Sequence, residues 1–182
     1  ATVIKNGALH SREYGKEKIR DLERLVYSRF GRYDYNPAGI DIFQADWDNL
    51  IILDACRYDL FVDRFPAGDE TQSRISRAGA TPEWVRANFG DRELHDIVYV
   101  TGNAQYTNLK SELGCEFHAV HQVLASGEEA ADMDWLDAQE HNIQKVTDAA
   151  KEALAEYPNK RLLVHYPSPH RPFVGETARK YL

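Results

Sequence analysis

A few side chains stand where a folded chain could present them for chemistry. Asp54 closes the apolar run Leu50 to Leu53 and leads into Ala55-Cys56-Arg57. Thr81 precedes Pro82-Glu83-Trp84, and Asn103 follows Ile97-Val98-Tyr99-Val100-Thr101-Gly102. His165 ends Arg161-Leu162-Leu163-Val164, and His170 follows across Pro167-Ser168-Pro169. Asp54 is a hard oxygen donor suited to Zn, Mn, Mg or Ca, and equally an ordinary helix N-cap. The Thr81 hydroxyl, at a helix start, can serve as a nucleophile beside the positive end of the helix dipole, or simply as a cap. His165 and His170 can bind an anion, move a proton or ligate a metal, although a lone histidine is more often structural. Arg57 can hold an anionic ester or pair with Asp59 or Asp63. Cys56 has no identifiable base beside it, so a thiol nucleophile is not supported.

The elements that must position these groups follow from patterning. Leu50–Leu53 reads as a strand buried on both faces, as in a parallel sheet. Ile97–Val100, Phe117–Val123 and Arg161–Tyr166 read as further strands. An amphipathic helix is expected over Tyr14–Phe30, a short helix over Arg57–Phe65, and another from Thr81 to Phe89, with Thr81 as N-cap and Pro82 in the first helical position. Ile143, Val146, Ala150, Ala153, Leu154 and Tyr157 mark a strong helix, preceded by an irregular acidic stretch over 125–138. Asn36-Pro37-Ala38-Gly39 marks a turn, and residues 69–80 a loop at the active edge. Alternation places His118 and His121 on opposite faces of their strand. Strands alternating with helices predict an α/β fold: a mostly parallel sheet with helices on both faces. Asp54, Asn103, His165/His170 and the helix start at Thr81 would then all meet at its carboxyl edge, where open α/β sheets bind ligands. Residues 1–46 are expected as an arm and helix packing on the core, and 47–182 as the α/β domain.

Bulk properties narrow the classes. The chain has 182 residues with 43 % hydrophobic and 28 % charged side chains, ordinary for a folded domain. Its net charge of −7 argues against a broad positive field, so no nucleic acid is expected as partner. The two cysteines make no disulfide framework. No apolar run nears the roughly 18 residues of a membrane span, and no signal-peptide core opens the chain, so a cytoplasmic location is expected. Phosphate-loop, dinucleotide and nucleophile-elbow motifs are absent.

Two stretches resemble the sulfatase-like branch of the alkaline phosphatase superfamily. Asn49-Leu-Ile-Ile-Leu-Asp54-Ala-Cys-Arg57-Tyr-Asp59 resembles its first metal-binding motif. Arg161-Leu-Leu-Val-His165-Tyr-Pro-Ser-Pro-His170-Arg-Pro-Phe resembles its His-x-x-x-Pro-His-x-Pro-aromatic segment. The resemblance covers about residues 48–175. It implies an alkaline-phosphatase-like fold and metal-dependent hydrolysis or transfer of phosphate or sulfate esters. Asp54 and Thr81 would bind the divalent metal and Thr81 would attack. His165 and His170 would assist catalysis, and Arg57 and Asn103 would hold the anionic ester. There is no Cys-x-Pro-Ser-Arg, so no formylglycine is expected. There is also no Asp-His-Gly segment, so the metal ligands are incomplete. The chain is then either part of a longer enzyme or a truncated, non-catalytic binding or assembly module on the same scaffold. Substrate and oligomeric state are not specified by these residues.

Overall fold

The structure is a computed structural model and describes residues 35–65, 71–123, 135–171 and 173–181. The expected helix over Tyr14–Phe30 lies outside the described residues. The chain divides into two compact units. The first holds residues 46–56 and 89–182. The second includes the described residues 35–45, 57–65 and 71–88.

The first unit is built on a parallel sheet. Its strands are β1 (Asn49–Leu53), β2 (Glu93–Thr101), β3 (Glu116–Gln122) and β4 (Arg161–Tyr166), in the order β1-β4-β2-β3. This is the expected α/β class. The order corrects one detail. β1 is an edge strand with Ile51 46 % exposed, so it is not buried on both faces. The central positions belong to β4 and β2, whose residues Leu162–His165 and Ile97–Thr101 are all buried. Continuous Leu/Val/Ile content suits a strand that meets side chains on either side.

Helices cover both faces. The long helix (Trp135–Glu156) is preceded in chain order by α1 (Tyr58–Arg64), α2 (Thr81–Phe89) and α3 (Gln105–Leu113), and is therefore α4; α5 (Glu176–Tyr181) follows β4. α4 lays Val146, Ala150 and Ala153 on Val98, Val100, Leu162 and Val164. It starts at Trp135, so the stretch over 135–138 is helical rather than irregular. Leu136, 3 % exposed, stands two turns before Ile143 and continues the same stripe. The opposite face carries aromatics. Tyr99 stacks on Phe117 at 5.1 Å and meets Phe89 and Tyr106 edge-on at 5.3 and 5.4 Å. Tyr106 belongs to α3, a helix that patterning missed although Tyr106, Leu109 and Leu113 have helical spacing. Gly114, at φ 54°, ends it in the left-handed region that glycine adopts without strain. α5 was also missed. Its Arg179 pairs with Asp137 of α4 and lies 3.7 Å from Glu140.

The His118 and His121 rings both lie near Tyr157, with centroids 5.3 and 6.1 Å away. The β2–β3 register shifts between Leu94 and Val98, where β2 carries the extra residues opposite His118.

In the second unit the expected turn forms. The Gly39 N–H donates to the Asn36 carbonyl at 3.0 Å, and the Ala38 N–H to Asn36 Oδ1 at 3.1 Å. The polar loop thought to border the site is tied down by Arg77. Its guanidinium pairs with Asp41 at 3.0 Å, donates to the Ala87 carbonyl at 2.8 Å and lies over the Tyr35 ring. The Arg77 and Asp41 side chains are 11 % and 7 % exposed. Removing one member of such a buried pair strands the other charge, at about 3–5 kcal/mol. Arg77→Met is therefore expected to lower the urea-unfolding free energy by about that amount, and Asp41→Leu in the same chain to restore most of it. An Arg77→Met midpoint equal to wild type would reduce the pair to a surface contact.

Candidate functional site

The carboxyl ends of β1, β4 and β2 bring Asp54, His165 and Asn103 together. Asp54 is positioned by backbone on both sides. Its N–H donates to the Tyr166 carbonyl at 3.2 Å, which extends the β1–β4 ladder by one residue. The Cys56 N–H then donates to the Leu53 carbonyl at 3.2 Å and closes a turn across Asp54 and Ala55. The helix that follows is capped by Arg57, not Asp54, so the N-cap role open to Asp54 is not the one it takes. Ala55 sits at φ 58°, a left-handed conformation that disfavours a Cβ. A left-handed alanine beside a polar cluster is held there at a backbone cost of about 1–2 kcal/mol.

Asn103 answers Asp54 across the intervening strand. Its Nδ2 donates to Asp54 Oδ2 at 3.0 Å, while its Oδ1 accepts from the Gln105 N–H at 2.9 Å. With both ends engaged, the amide has one orientation. The Asn103 N–H donates to Thr101 Oγ1 at 3.0 Å. Gln122 Nε2 donates to the Thr101 and Asn103 carbonyls at 3.3 and 3.2 Å, and Thr107 Oγ1 donates to Gln122 Oε1 at 2.6 Å. Gly102 permits the close packing here: a Cβ on it would stand 2.8 Å from Val146 Cγ2 and 2.9 Å from Pro167 Cδ. The chain leaves β2 for α3 on the aromatic face and leaves β4 for α5 beside α4. The two paths thus diverge between adjacent strands, the place where parallel sheets open a crevice.

His165 is 1 % exposed, and its Nδ1 lies 3.0 Å from the hydroxyl of the fully buried Tyr99. Burial pushes the imidazole down from 6.5 to about 4, opposed by the Asp54 carboxylate, which favours the charged ring. His165 is therefore a neutral hydrogen-bonding group at pH 7, not a cation. Burial also raises the Tyr99 phenol well above its ordinary value, so it keeps its proton. Patterning overlooked Tyr99, Thr101 and Gln122. The available signal was a tyrosine and a threonine two residues apart inside an apolar strand, in line with Asn103.

The remaining expected residues are placed differently. His170 is exposed, and its Nδ1 donates to the Arg171 carbonyl at 2.6 Å, which leaves Nε2 as the lone-pair nitrogen of the neutral ring. Arg57 makes the alternative pairing, donating from Nε and Nη2 to the Asp59 carboxylate at 2.9 and 2.6 Å on the surface. That bond holds Asp59 down at about 2. Thr81 lies in the second unit, one residue inside α2. The Ala80 carbonyl accepts the first helical bond, from the Trp84 N–H at 2.9 Å, so Ala80 rather than Thr81 holds the cap position. Neither cysteine is in a disulfide, and both are partly buried. Burial pushes the Cys115 thiol up to about 11.

Among the described residues, the donors around Asp54 do not by themselves make up a metal centre. Asp54 Oδ2 faces an amide N–H, and the His165 Nδ1 faces a phenol. Among the described residues no group of three or more His, Cys, Asp or Glu is placed to share an ion. Zinc takes four ligands and calcium six or more. No family model, curated protein or solved structure matches the chain.

Two outcomes follow. As pH falls through 6.5 the unfolded chain protonates His165, while the folded chain resists until about 4. The stability contribution is complete above pH 6.5 and is lost on the way to pH 4, about 3 kcal/mol in all. Urea midpoints measured between pH 7.5 and 4 are expected to fall more steeply in wild type than in His165→Asn; parallel curves would refute the assignment. Ala55→Gly is expected to raise stability by about 1 kcal/mol by relieving the left-handed alanine, read as a higher thermal midpoint.

Proposed function

We propose that the chain belongs to a hydrolase or transferase of phosphate or sulfate esters, with the carboxyl edge of β1, β4 and β2 as its reacting region. The observation that carries the reading is the meeting of Asp54, Asn103 and His165 from separate strands at the crevice position of a parallel sheet. The sulfatase-like sequence segments around Asp54 and His165/His170 support it. In this reading the Asn103 amide, held at both ends, and the neutral His165 orient polar groups towards an anionic ester. His170 offers an exposed nitrogen for proton transfer, and the Thr81 hydroxyl enters only as the nucleophile that the sequence resemblance implies. A divalent ion (Zn, Mn, Mg or Ca) at Asp54 belongs to the reading only with donors from beyond the described residues. The reading keeps the ester as partner, with no nucleic acid, and a cytoplasmic location. No described helix is long and apolar enough to cross a membrane.

One observation favours a second reading, a binding or assembly module. Asp54 and His165 are already engaged by Asn103 and Tyr99, as a structural network tying strand ends would be. The longest natural form of the protein separates the two. Phosphate mono- and diesters and sulfate esters are offered with Zn, Mn, Mg or Ca, and retained metal is measured. Turnover reduced by on the order of 10²-fold or more in Asp54→Asn is the expected result, since that change keeps the shape and removes the charge. No turnover of any ester together with no retained metal leaves the binding module as the function.

A further inference from the structure

We propose that Tyr99 is a positioning residue that holds His165 as the neutral tautomer with its hydrogen on Nε2. The Tyr99 hydroxyl and His165 Nδ1 are 3.0 Å apart, and both residues are buried. Either atom could carry the shared hydrogen, and two neighbours decide between them. The first is Thr101, whose hydroxyl also interacts with Tyr99. Thr101 Oγ1 already accepts the Asn103 N–H at 3.0 Å and donates to the Asn103 carbonyl at 3.4 Å. Nδ1 is then the better acceptor for the buried phenol proton, which is costly to leave unbonded. The second is Asp54, whose carboxylate favours a ring that keeps its hydrogen. With Nδ1 accepting from Tyr99, the one hydrogen of the neutral ring sits on Nε2.

Tyr99 thereby makes the end of β4 a fixed N–H donor. As a role in catalysis this rests on the carboxyl edge being the reacting site, but the tautomer itself does not. The test is nitrogen NMR of the full chain labelled at histidine, with the His165 ring signals assigned by their loss in His165→Gln. Wild type is expected to show a protonated Nε2 and an unprotonated, hydrogen-bonded Nδ1. In Tyr99→Phe the Nδ1 signal is expected to shift to that of an unbonded ring nitrogen. A hydrogen on Nδ1 in wild type, or an Nδ1 signal unchanged by Tyr99→Phe, overturns the proposal. If Tyr99→Phe does not fold, the wild-type tautomer alone decides. Ester turnover is not read, so failure here and failure of the ester reading are distinct results.

Discussion

β4 is hydrogen-bonded to a parallel strand on each side, and the rest of the first unit depends on that double pairing. A strand so enclosed can carry only residues content without water. Leu162, Leu163 and Val164 meet that condition easily. His165 meets it by staying neutral and by bonding to Tyr99, because an uncompensated charge at that depth is expensive. The same pairing aligns Thr101 with His165 and Leu53 with Tyr166, so the chain leaves β1 and β2 on either side of His165. The meeting of Asp54 and Asn103 over the end of β4 follows from this register.

Each polar group at the carboxyl edge is held by backbone or by another fixed side chain. Asn103 is pinned at its oxygen by Gln105 and at its nitrogen by Asp54. Gln122 is anchored by Thr107 and spans two carbonyls of the β2 end. Networks of this kind specify one arrangement when all members are satisfied. Arg77 does comparable work in the second unit. It joins the turn segment near Asp41 to the carbonyl at Ala87 and lies on Tyr35. The polar loop that contains it is thus a structural tether in its own unit.

The α/β class was legible because its signals are local and repeated. Three apolar runs and one alternating stretch, helical stripes between them and turn residues at their ends all point to one layered architecture. The Asp54–Asn103–His165 grouping was legible at the level of which strand ends would meet. What patterning missed has a common cause. α3 presents only Tyr106, Leu109 and Leu113 to the sheet, a stripe too narrow to stand out. Tyr99 looked like one more apolar residue in Ile97–Val100, and its hydroxyl matters only because β4 delivers His165 beside it. Arg57 had two chemically equal options, and proximity to Asp59 selected one.

The sequence by itself determined the strands, the principal helices and the identity of the polar residues at the strand ends. Periodicity and turn chemistry act over a few residues and need no knowledge of partners. Only the tertiary structure decided that β1 lies at the edge, that β4 runs between β1 and β2, and that His165 is buried against Tyr99 while His170 stays in solvent. Strand order is set by which faces bury together across long separations in the chain, and no local pattern encodes it. The protonation state of His165 follows from that order, since the same imidazole on an exposed loop would keep water around its charge.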